Sequence, residues 1–239
     1  MNSFIPKKIR WPAGCLIFFI PIICVGILLC AGLFSCNGKP PIIELVPTAR
    51  DSAEKLQFIN RAFCSIAAIK KNIYSGYLVT RTGNDFTSRQ LSTLNRRNKI
   101  YSHCGIASIE NDSLFIYHAV GGEWNPGEKL KRESWEQFAE PFSNKGVGIF
   151  RFQIPKEIEN KLIATVQNFY ISKLPFDMDF DLSTDDKMYC AEFIYKSFLK
   201  ASDYTLQFNH SYIRNLKFIG VDDLFLHPLC SKQAEIVYK

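Results

Sequence analysis

The chain has 239 residues, 47% of them hydrophobic and 22% charged, the make-up of a globular protein rather than a disordered or repetitive one. Its length suits one domain, or one domain with an appendage. The net charge of +6 comes from 29 basic and 23 acidic residues scattered along the chain. There is no Lys/Arg block to follow a nucleic-acid backbone, so a nucleic-acid partner is not expected.

From the N-terminus, Met1 to Arg10 carries Lys7, Lys8 and Arg10 and no acid, and an uncharged run from Cys15 to Cys36 follows. About 20 apolar residues in a helix cross a hydrocarbon core of ~30 Å, so the run is long enough to span a membrane. The basic residues before it place the N-terminus in the cytoplasm and the body outside, in the cell envelope. The run closes on Leu33-Phe34-Ser35-Cys36, which resembles a bacterial lipoprotein signal with Cys36 as the lipid-bearing residue. A retained transmembrane helix and a lipoprotein signal both remain open. Either way, residues 1–36 are a signal or anchor segment and the membrane is an expected partner. Lys39-Pro40-Pro41 begins a stiff linker over 37–47, and residues 48–239 form the domain.

In the body, Leu56, Ile59, Phe63, Ile66 and Ile69 recur at helical spacing and predict a helix over 48–71. Tyr77 to Thr80 predicts a short strand, Thr82 to Asp85 a turn, and Phe86 to Asn98 a polar helix. Two strands, 103–109 and 114–120, flank a turn at 110–113 and form a hairpin. Residues 121–127 are a loop, 134–139 a short helix, 147–152 a third core strand and 157–171 a helix opened by Pro155. Residues 190–199 predict a helix with Phe193, Ile194, Ser197 and Phe198 along one stripe. Residues 218–220 and 234–238 supply edge strands. Helices at the ends with strands between them indicate an α+β fold around an antiparallel or mixed sheet.

Four of the eight cysteines, Cys64, Cys104, Cys190 and Cys230, belong to the body. They form no CxxC pair and no zinc-ligand spacing, so neither a metal nor a cofactor is expected. Cys64 and Cys104 fall in a helix stripe and a strand and read as core. Cys190 opens a helix, where the positive end of the helix dipole favours a thiolate. Of the four histidines, His210 and His227 lie in loops and read as surface or capping residues. His103 and His118 lie on the two strands of the hairpin. Centred on 110–113, that hairpin pairs residues whose numbers sum to about 223, which makes His118 a near or diagonal neighbour of His103. The loop aromatics Trp124 and Trp135 are candidates for lining a cleft or for packing under their own loop.

Five blocks then occur in order: Gly76 to Gly83, Tyr101-Ser102-His103-Cys104-Gly105-Ile106, Tyr117-His118-Ala119, Phe176 to Phe180, and Tyr189-Cys190-Ala191-Glu192-Phe193-Ile194-Tyr195. This resembles the circularly permuted papain-like hydrolases of the NlpC superfamily, the YiiX/YebB-like group, over about residues 74 to 228. The resemblance implies a permuted papain-like fold, a central antiparallel sheet packed by helices. It implies Cys190 as nucleophile, His103 as general base and His118 as the residue that orients His103. The first block opens Gly76-Tyr77 where the family usually has Gly-Asp, and His118 resembles the His-type variant of a position that is often Glu. Glu192, in the first turn of its helix, is read as a partner of the helix dipole.

The expected function is a membrane-tethered cysteine hydrolase that cleaves an amide bond in a peptide, a peptidoglycan stem or an N-acyl substrate, through a thioacyl intermediate on Cys190. The Cys190 backbone N–H, at the helix start, is the expected oxyanion donor. An acyltransferase or lipid-ester hydrolase of the lecithin–retinol acyltransferase-like type is the alternative, marked by a deep apolar pocket. A non-catalytic envelope binding module is the third.

Overall fold

In the computed structural model the described residues are 49–239, apart from 122–124 and 126. They lie in one compact unit that begins at Pro47. The predicted anchor and linker, and Trp124, lie outside the described residues. In chain order the elements are α1 (Ala49–Lys70), β1 (Leu78–Gly83), α2 (Phe86–Leu94), β2 (His103–Glu110), β3 (Ser113–His118), β4 (Lys131–Ser134) and α3 (Trp135–Ala139). Then follow β5 (Asn144–Phe152), α4 (Lys156–Ile171), α5 (Cys190–Ala201), β6 (Ser211–Ile213), β7 (Leu216–Phe218), α6 (Val221–Phe225) and β8 (Cys230–Val237). Six strands form one antiparallel sheet in the order β4-β3-β2-β1-β5-β8, and β6 and β7 make a separate ribbon.

The sheet is covered on both faces, so apolar residues of its inner strands are buried on either side. Leu78, Ile106, Tyr117 and Phe150 point to one core, with Leu162, Val166, Phe193 and Phe198 from α4 and α5. Their sequence neighbours Val79, Ala107, Ile116 and Ile149 point to a second core, with Ile66 and Ile69 of α1 and Trp135 and Phe138 of α3. Trp135 is fully enclosed there, its indole N–H donating to the Ile66 carbonyl at 3.0 Å, so it lines no cleft.

Several expectations shift. Cys64 is exposed, because only the C-terminal part of the α1 stripe (Ile66, Ile69) is deeply buried while Leu56 is exposed. The polar helix stops at Leu94, where the buried Asn95 turns its side chain to the Tyr101 carbonyl and the Val221 N–H. The short charged edge strand β4 gives no alternating signal, and residues 216–218 join the ribbon instead of the main sheet. The hairpin turn is tighter than expected: Glu110 faces Ser113, leaving Asn111 and Asp112 as a two-residue loop. Both have positive φ, 47° and 61°, as a type I′ connection requires.

Candidate active site

The hairpin register places the two histidines. Ile106 faces Tyr117, so His118 falls beside Gly105, diagonal to His103 and on the same face. A Cβ at Gly105 would lie 2.6 Å from Ile116 Cγ2, 2.9 Å from the Tyr117 carbonyl oxygen and 3.2 Å from His118 Cβ. Glycine at that point is what lets β3 lie so close. His103 Nε2 and His118 Nδ1 are 2.8 Å apart, and His118 Nε2 lies 3.1 Å from Glu133 Oε2 on β4. His118 is wholly enclosed, whereas His103 is half-buried.

This order of contacts sets the protons. A carboxylate can only accept, so the His118 proton belongs on Nε2, facing Glu133. His118 Nδ1 is then a lone pair, and His103 Nε2–H donates to it. His103 Nδ1 is left without a proton, and it makes no hydrogen bond among the described residues. Burial, then the Arg81 charge and His118, hold the His103 imidazole well below its usual value, so it is neutral at pH 7. Burial also lowers His118, against the opposing pull of Glu133, while contact with His118 keeps Glu133 ionised.

Cys190 is the first residue of α5 and is nearly buried. Its thiol is drawn below the usual value, first by the approaching Cys104 thiol and then, against burial, by backbone N–H groups including that of Ala191. Burial and the same contact push Cys104 well above its usual value, so of the two thiols Cys190 is the more readily ionised. Glu192 is fully buried, accepts the Tyr189 N–H at 3.1 Å and lies 2.9 Å from Lys196 Nζ, a helix-capping arrangement. Burial pushes its carboxyl up to about 7, against Lys196.

Cys190 and His103 border one cleft of about 200 Å³ with Arg81, Asn144, Phe176 and Phe180. The acidic-aromatic segment forms part of its wall. Asp177, wholly buried, accepts the N–H groups of Asp179 and Asp181 at 2.9 and 2.7 Å and fixes the loop that presents Phe176 and Phe180. Tyr77 packs in the second core and is not among the residues lining the cleft. His210 is half-buried 3.2 Å from the Tyr195 hydroxyl, and His227 is buried with its ring between the Gln207 carbonyl and the Leu229 N–H.

Sequence reasoning missed Glu133 and Arg81. Glu133 sits in an edge strand whose pairing with β3 depends on the loop after Val120, and loop length hides that register. Arg81 gave only one local signal, a charge within an apolar strand.

No protein-family model and no curated protein matches the chain. Among solved structures it is similar to the crystal structure of the metalloprotein yiiX from Escherichia coli O157:H7, DUF1105. The TM-score is 0.54 at 18% identity, covering 69% of this chain and 98% of that one. The domain therefore has a YiiX-like α+β fold. Among the described residues no group of three or more His, Cys, Asp or Glu side chains is placed to hold a metal ion. His118 has both ring nitrogens against protein groups, so it is not placed as a metal ligand.

Proposed function

We propose that the domain is a permuted papain-like cysteine hydrolase that cleaves an amide or related acyl bond, held at a membrane by its N-terminal apolar run. The observation that carries this reading is the bordering of one cleft by a helix-initial thiol and by a half-buried, neutral imidazole with an unprotonated Nδ1. His103 takes the Cys190 proton, and the thiolate attacks the substrate carbonyl to form a C–S bond. The leaving group departs with the proton from His103. Water, deprotonated by His103, then cleaves the thioester and regenerates the thiol. The N–H of Cys190, at the start of α5, stabilises the oxyanion. His118 and Glu133 hold the His103 tautomer.

The test is to incubate the full-length protein with p-nitrophenyl acetate, quench in acid and map the acetyl group. It should sit on Cys190 and be absent from Cys190→Ala. Acetylation elsewhere with undiminished turnover in Cys190→Ala would contradict the assignment, and no adduct or turnover at all would favour the binding-module reading.

One observation favours acyl transfer or lipid-ester hydrolysis as a second reading. A largely apolar groove of about 570 Å³ shares Leu91, Val120, Phe176 and Phe180 with the cleft and extends to Phe86 and Met178. Rates that climb with p-nitrophenyl ester chain length would support it.

A further inference from the structure

Arg81 is a cationic group in the cleft that the mechanism does not use, with Asp85 on the same lining. On the sheet it faces His103 directly, so both side chains share a face. Its guanidinium lies 4.8 Å from the centre of the Phe138 ring and donates from Nη1 to the Phe138 carbonyl at 3.1 Å. Among the described residues no carboxylate lies within ion-pair distance of it, unlike Arg97, which reaches Asp223, and Arg132, which reaches Glu110. The acids around it are engaged elsewhere. Glu133 is on His118, Glu140 accepts the N–H groups of Phe142 and Ser143, and Asp85 caps α2 through the Ser88 N–H. Burial costs the guanidinium enough to hold it below its usual basicity. A desolvated charge is normally paired, and one left unpaired on the wall of a reactive cleft is a site for an anion that arrives with the substrate. A guanidinium presents parallel N–H groups that match the two oxygens of a carboxylate.

We propose that Arg81 is the docking group for a substrate carboxylate held beside the scissile carbonyl, so that the enzyme acts on an anionic acyl compound. This rests on Cys190 as the nucleophile. It is compatible with either leaving group, because the apolar groove and Arg81 occupy different parts of the cleft wall.

The test uses two small thiol alkylators of similar size and opposite character, iodoacetate and iodoacetamide, on the full-length protein. Both react with the thiolate, so any effect of Arg81 on the thiolate fraction cancels in the ratio of their rates. Exposed Cys64 is the internal reference, and adducts are quantified by peptide mass spectrometry. The iodoacetate/iodoacetamide ratio should be about tenfold higher at Cys190 than at Cys64. It should fall to the Cys64 value in Arg81→Gln, and Arg81→Lys should keep part of it, having the charge without the fork. Acetate should slow iodoacetamide labelling of Cys190 in the native protein and not in Arg81→Gln. Buried Cys104 staying unlabelled in both variants shows that the fold is intact; its labelling in Arg81→Gln transfers the comparison to Arg81→Lys, whose ratio must still be below native. A ratio at Cys190 equal to that at Cys64, or unchanged by the Arg81 substitutions, would overturn the carboxylate site alone. Better protection by inorganic phosphate than by acetate would overturn the carboxylate assignment. Failure of either reagent to modify Cys190 would overturn the nucleophile assignment, and this proposal with it.

Discussion

His118 is completely enclosed, its Nδ1 pairs with His103, and its Nε2 lies 3.1 Å from the Glu133 carboxylate. The proposed base, relay imidazole and carboxylate in series give a ranking of substitutions. His103→Ala should abolish acetylation of Cys190, a loss of about 10³-fold or more, because no proton acceptor remains. His118→Ala should leave partial activity, and His118→Gln more of it, since an amide still holds His103; the loss approaches ~10⁴-fold only where the wrong tautomer is locked in. Glu133→Gln should cost less than His118→Ala, about 10–100-fold, as it acts one contact further away. Steady-state rates with p-nitrophenyl acetate check the order, and a His118→Ala enzyme weaker than His103→Ala would make His118 the base. The same variants bear on pH. His103 is held well below 6.5, so it stays unprotonated on mild acidification, and the acid limb of kcat/KM should fall below pH 6.5. A limb centred at or above pH 6.5 would mean that the imidazole is not buried during turnover.

The β2–β3 hairpin is the element that sets this geometry, and its loop is where the geometry can be strengthened. Asn111 and Asp112 both adopt positive φ, which Asn tolerates and Gly favours at the second position. Asp112→Gly should therefore stabilise the domain by about 0.5 kcal/mol, raising Tm by roughly 1–2 °C without changing Cys190 reactivity. A lower Tm would show that the Asp112 side chain contributes more than its backbone costs. Much of this hairpin was legible in the sequence. Two β-rich runs around a polar turn fix the pairing to within about two residues, so the nearness of His103 and His118 followed from arithmetic on residue numbers, whereas their shared face came only with the observed register. The long helices and the core strands were legible for the same reason, their period. Features that depend on distant pairing were not. The KRES strand β4 is charged because it is an edge, so it carries no strand pattern, and with it Glu133 stayed hidden. Cys64 read as core because a stripe of five apolar residues was extended to a flank that nothing covers. Arg81 could be recognised as unpaired only once every carboxylate near it had been placed.

At the scale of the whole molecule, the described residues form two cores on opposite faces of one sheet. The first is sealed by α4, α5 and α6, the second by α1, α3 and the Tyr238 side chain beyond β8. The side chains of the candidate site come from β1, β2, β3, β4, β5, α2 and α5 and the loops joining the described elements. The apolar run from Cys15 to Cys36 lies outside the described residues, and its length and flanking charge are those expected of a membrane anchor. Two chains separate these roles. Residues 47–239 expressed alone should remain in the supernatant of a high-speed spin, with acetylation at Cys190 and a Tm within about 2 °C of the full-length chain, since a domain with its own core folds alone. The full-length chain should sediment with membranes, and protease added to intact spheroplasts should digest its body. Cys36→Ser separates the two kinds of anchor: unchanged mass and attachment leave only the transmembrane helix. A short chain that aggregates or melts well below the long one would show that the N-terminal run completes the fold. A full-length chain in the supernatant would remove the anchor, and a body protected until lysis would reverse its orientation.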